Sequence, residues 1–69
     1  MDRQSVSSSN LASVGYDPNS ETLEVEFKNG SIYQYYNVPQ FMYERLMEAG
    51  SVGNFLNTQI KGTYAYSQV

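Results

Sequence analysis

Sixty-nine residues with a formal net charge of −3, seven tyrosines, three phenylalanines and neither cysteine nor histidine describe one domain whose core is built from few, bulky side chains. That composition removes disulfides, thiolate nucleophiles and imidazole bases or metal ligands together. The only cations are Arg3, Lys28, Arg45 and Lys61, and a strand touching all four would reach a salt slope of only about −3, which argues against strong, unaided nucleic-acid binding.

In chain order, residues 1–10 are polar, with Val6 the only anchor. They read as a loosely held arm over residues 1–5 or as a short edge strand. Leu11 to Tyr16 reads as a first strand with Ala12, Val14 and Tyr16 on one face and Gly15 on the other. Asp17-Pro18-Asn19-Ser20 is a turn, because proline presets its own φ and the Asx side chains bond locally. In Thr22 to Lys28, Leu23, Val25 and Phe27 alternate with Glu24, Glu26 and Lys28, which predicts one buried and one wet face.

Asn29-Gly30 closes a hairpin onto Ser31 to Tyr36. A two-residue turn would place Tyr33 and Tyr35 on the outer face. A three-residue loop with Gly30 left-handed and a bulge shifts the register by one and turns both tyrosines to the core. The second register is favoured because it buries two rings instead of the Gln34 amide.

Pro39 suits the first turn of a helix over Gln40 to Ala49, with Phe41, Met42, Leu46 and Ala49 at helical spacing around Val38. Glu44 and Glu48 mark its solvated face. Gly50 stops this helix, Ser51 caps the next, and Val52, Phe55, Leu56 and Ile60 form a second apolar stripe ended by Gly62. Gly53 in the first turn costs about 1 kcal/mol against alanine, which points to a close backbone approach or an irregular helix start. The tail, with its second Tyr-x-Tyr at Tyr64 and Tyr66, reads as a last short strand or an extension loose over 65–69. The fold class is therefore α+β: a three-stranded antiparallel meander, two short helices across one face, and room for a short terminal strand. No apolar run approaches the roughly 20 residues of a membrane span, and Asp2 followed by serines does not look like a secretory leader. The expectation is a cytoplasmic protein without a membrane partner.

Taken together, these residues resemble the KTSC domain, named for the C-terminal region of some lysyl-tRNA synthetases. The resemblance rests on Ser8-Ser9, Gly15-Tyr16-Asp17, Leu23-x-Val25-x-Phe27, Gly30, Tyr33-x-Tyr35, Val38-Pro39, Ser51-x-Gly53-x-Phe55-x-Asn57-x-x-Ile60-Lys61 and Tyr64, from about Val6 onward. It implies a small stand-alone protein of a family found mainly in bacteria, their phages and plasmids. It also implies a function that is not established, with RNA binding suggested by the attachment to a synthetase.

The chemistry follows from what is left. Glu24 and Glu26 share a strand face, an arrangement that is normally the solvated side of a sheet and not a catalytic pair. No metal or cofactor is expected, and Gly50-Ser51-Val52-Gly53 lacks the full phosphate-loop pattern. A Tyr33-x-Tyr35 pair can act as a stacking platform for bases, but in so small a chain packing claims both rings, leaving Tyr36 as the exposed aromatic of the sheet. Asn57, Lys61 and Tyr64 could join amide, cation and phenol in a polar site. The structural alternative, in which Asn57 braces the chain and Lys61 complements a helix C-terminus, is favoured. Two functions outside enzymology survive. One is a module for RNA or single-stranded nucleic acid using Tyr36, Arg45, Asn57, Lys61 and Tyr64. The other is a protein-interaction module using exposed aromatics and the sheet edge.

Overall fold

The computed structural model describes all 69 residues. Five strands follow one another in space as they do in sequence: β1 (Gln4–Ser5), β2 (Leu11–Asp17), β3 (Thr22–Phe27), β4 (Ile32–Tyr35) and β5 (Tyr66–Gln68), every pair antiparallel. Helix α1 (Gln40–Glu48) and helix α2 (Val52–Phe55), which continues as a π-helical turn over Leu56–Ile60, stand between β4 and β5. The three expected strands are present, and the sheet gains an edge strand on each side. Both chain ends therefore pair instead of hanging loose: Gln4 and Ser5 lie opposite Val14 and Ser13, and Tyr66 to Gln68 lie opposite Tyr35 to Tyr33.

The β3–β4 hairpin takes the bulged register. Phe27 N–H donates to the Ser31 carbonyl at 2.8 Å, Gly30 N–H returns to the Phe27 carbonyl at 2.9 Å, and Gly30 sits at φ 94°. Val25 then faces Tyr33, and Leu23 faces Tyr35. A second irregularity lies in β2, where the register shifts between Leu11 and Ser13. The extra residue lets Leu11 and Val14, three positions apart, both reach zero exposure, which a regular strand would forbid.

The core is Leu11, Val14, Leu23, Val25, Tyr35, Val38, Leu46, Val52, Leu56 and Ile60. In α1 the buried stripe differs from expectation. Leu46 is buried and Met42, Tyr43 and Met47 pack on the core, while Phe41 is 54% exposed. Phe41 stands one residue off the stripe and carries Arg45, one turn on, over its ring at 5.4 Å. Tyr43 stacks on Tyr16 with centroids 4.9 Å apart, and Tyr16 donates its hydroxyl to the Val38 carbonyl, tying β2 to the entry of α1. Burial, then the carboxylates of Glu21 and Asp17, raise the Tyr16 phenol above its ordinary pKa.

Ser51 caps α2 by accepting from the Asn54 amide at 3.3 Å. Gly53 is buried, and a Cβ there would sit 2.5 Å from Asn10 Oδ1, so the close approach expected from sequence is real. The π turn closes with Lys61 N–H on the Leu56 carbonyl and keeps both Leu56 and Ile60 in the core.

Candidate functional site

The outer face of the sheet is not simply wet. A Cβ on Gly15 would meet the Asp2 carbonyl at 2.5 Å and Arg3 Cγ at 3.0 Å, so the glycine admits the N-terminal arm onto the sheet. The arm brings Arg3 onto Glu24 and within 3.9 Å of Glu26. Arg3 Nε also donates to Ser13 Oγ at 3.0 Å, and Ser13 donates on to Glu26 at 2.9 Å. From the other side, Gln34 donates to Glu24 at 2.9 Å, the Tyr36 hydroxyl donates to Gln34 at 3.3 Å, and Ser67 on β5 bonds Tyr36. Polar groups from the arm to β5 thus converge on one carboxylate, leaving Glu24 only 8% exposed where sequence alternation predicts a solvated side chain. The Gln34 hydrogen bond, followed by Arg3, holds the Glu24 carboxyl below its usual pKa although burial opposes them.

The helical side of the sheet is covered incompletely. Beyond the lid lies a cleft of about 320 Å³ lined by Phe27, Asn29, Ser31, Tyr33, Tyr35, Lys61 and Tyr66. Its rings form one cluster: Phe27 meets Tyr33 edge-on at 5.5 Å, and Tyr66 is tilted against Tyr33 at 5.9 Å and against Tyr35 at 5.8 Å. Pairing of β5 with β4 builds it, since Tyr66 lies directly opposite Tyr35 and so shares its face. Tyr35 is 3% exposed and belongs to the core, Tyr33 is half-buried, and Tyr66 is 58% exposed. Burial, and then its tyrosine neighbours, raise the Tyr35 phenol above its ordinary value.

Lys61, just past the π turn, is the one charged residue of the cleft, and it enters no ion pair. In a chain of net charge −3, an acid-free aromatic cleft with an unneutralised ammonium suits a planar ligand that carries negative charge.

Of the five residues singled out in the sequence, only Lys61 lines this cleft. Tyr36 points to the outer face, held by Gln34 and Ser67. Arg45 lies over Phe41 on α1, Asn57 is exposed on the π turn, and Tyr64 packs half-buried against the core. No hydrogen bond joins Asn57, Lys61 and Tyr64, and Arg45 does not reach the Lys61 cleft. Phe27 is not legible as a site residue, and Tyr66 is legible only as an exposed aromatic of the tail suited to a protein partner. The only signal for Tyr66 was the repeated Tyr-x-Tyr, whose meaning depends on the β5 pairing.

Fold and site together define a small antiparallel α+β domain with a helical lid and an aromatic cleft at the lid's margin. The KTSC domain matches residues 7–64. The chain superposes on the crystal structure of a KTSC domain protein from Yersinia pestis with a TM-score of 0.93 at 40% identity, covering 99% of this chain and 96% of that one. It is 44% identical over 61 residues to an uncharacterized protein of Stutzerimonas stutzeri, covering 88% of this chain and 86% of the relative. It is also 43% identical over 54 residues to a lysine–tRNA ligase of Nostoc, covering 78% of this chain and 10% of the ligase. The chain belongs to the KTSC domain family. It spans about a tenth of the ligase's length.

Proposed function

We propose that the domain is a binding module, not a catalyst, that holds single-stranded RNA by stacking bases on the tyrosine cleft. The carrying observation is the exposed Tyr66 ring, continuous with Tyr33 and Tyr35 and bordered by the unpaired Lys61. Base–aromatic stacking supports such binding without a broadly basic surface, contributing about 1–3 kcal/mol per base. Similarity to a segment of a lysine–tRNA ligase, an enzyme named for acting on an RNA, supports the choice of RNA. Three of the four cations are dispersed: Arg3 is committed to Glu24, Arg45 lies over Phe41, and Lys61 stands at the cleft, while Lys28 is exposed beyond the end of β3. Affinity therefore comes mainly from stacking, and its dependence on salt is shallow.

Fluorescence anisotropy of labelled single-stranded RNA at two salt concentrations tests the reading. Saturable binding that is weakened by Tyr66→Ala and changes little with salt is expected. Absence of binding at low salt sinks it.

One observation favours a second reading, a protein-interaction module. Phe41 is exposed beside Arg45 on α1, the pairing of residue types common at protein interfaces. In that case Phe41→Ala abolishes association with a protein partner, and Tyr66→Ala does not affect RNA.

A further inference from the structure

We infer that the cleft is a one-nucleotide site: a single unpaired base lies on the Tyr66 ring and its phosphate is held by Lys61. This rests on the RNA-binding reading above and states what the cleft takes.

Three observations limit the ligand to one nucleotide. The volume of about 320 Å³ stands at the lower end of the roughly 300–1,000 Å³ usual for small-molecule sites. Lys61 is the sole charged lining residue, so one phosphate can be neutralised there. Of the other cations, Arg3 is bound to Glu24 on the opposite face, Arg45 lies over Phe41, and Lys28, although it stands between Phe27 and Asn29 in the chain, does not line the cleft.

Ring geometry leaves Tyr66 open to a base. Tyr33 and Tyr35 meet Tyr66 at 49° and 35°, so neither lies flat against it, and the Tyr66 ring is more than half exposed. At the other end of the cleft, Asn29 uses Oδ1 to accept the Ser31 amide at 2.9 Å. Its amide nitrogen makes no bond within the chain and is available, with the Ser31 hydroxyl, to donate to a base edge.

Chemical-shift titration of the intact chain with AMP, adenosine, ribose 5-phosphate and a short single-stranded oligoadenylate tests the assignment. AMP is expected to shift the amides of Phe27, Ser31, Tyr33, Lys61 and Tyr66. Adenosine and ribose 5-phosphate each bind more weakly than AMP. Tyr66→Ala weakens AMP about tenfold or more, in keeping with the loss of one stacked base, and Tyr66→Phe restores it. Lys61→Met weakens AMP but leaves adenosine unchanged. The salt slope for the oligomer is about −0.7, one phosphate contact. Both residues are exposed, and the spectrum itself reports whether each variant is folded.

The two levels separate cleanly. AMP bound in the cleft while the oligoadenylate is ignored upholds the site and ends the RNA reading. Oligoadenylate bound with shifts elsewhere, and unaffected by Tyr66→Ala, overturns the site and leaves the RNA reading standing. Ribose 5-phosphate binding as tightly as AMP, or an oligomer slope near −3, overturns the one-base, one-phosphate assignment. No response to either AMP or oligomer overturns both.

Discussion

Arg3, in the polar N-terminal segment, is a cation that the fold consumes. Its guanidinium reaches across 21 residues of chain to a nearly buried Glu24. Arg3→Ala leaves that carboxylate with Gln34 as its remaining partner, so a loss of about 1–3 kcal/mol at neutral pH is expected. The pH dependence has a definite sign. Because the folded Glu24 pKa lies below the unfolded value, its stabilisation is fully present above the ordinary carboxylate pKa, about 4.3, and is lost as pH falls through the lowered folded value. Urea unfolding of parent and Arg3→Ala should therefore differ clearly at pH 7 and converge toward pH 2. A difference that persists undiminished in acid would assign the contribution of Arg3 to packing of its stem.

At the scale of elements, the N-terminal arm and β5 do opposite jobs on opposite faces. The arm closes the outer face over Gly15, and β5 adds the ring that opens a cleft on the other. Gly15→Ala places a methyl 2.5 Å from the Asp2 carbonyl and should lift the arm, exposing Glu24. Amide exchange at Gln4 and Ser5 rises in that variant, while amides of the β3–β4 hairpin stay protected. Unchanged protection at both would show that the arm adapts.

These two edge elements were the least legible from sequence, for a physical reason. Strands of two and three residues, all on the exposed side, carry no readable alternation, and what holds them is pairing to a sheet that already exists. By contrast the β3–β4 register, the Ser51 cap and the tight approach at Gly53 were readable, because each is decided by neighbouring residues: two rings against one amide, a hydroxyl before a helix, a glycine where alanine would be better. The α1 face was half legible, since the spacing named Met42 and Leu46 but put Phe41 inward in place of Tyr43. The aromatic cleft needed three segments, at Phe27, at Tyr33 to Tyr35 and at Tyr66, and only the first two adjoin in sequence. The π turn that leads into Lys61 has no local signature at all.

For the molecule as a whole, tyrosines replace the missing tryptophan and most of the missing phenylalanine, and this makes the fold sensitive to alkali. Tyr16 and Tyr35 both have folded pKa values above the ordinary phenol value of about 10. Their stabilisation is complete below that pH and is lost as pH rises through the raised folded values. Tyr35→Phe keeps the buried ring without the ionisable hydroxyl. Its stability should fall less steeply than the parent's between pH 9 and 12 in the same unfolding experiment, and an unaltered slope would remove Tyr35 as a cause.

The molecule thus presents one face locked by hydrogen bonds around Glu24 and one with an open ring beside a free ammonium. The most direct test of that division is the set of intermolecular nuclear Overhauser contacts between base protons of a bound single-stranded RNA and tyrosine ring protons. Contacts to Tyr66 and Tyr33 are predicted. Contacts to Tyr36 on the outer face, with none to Tyr66, would contradict the account.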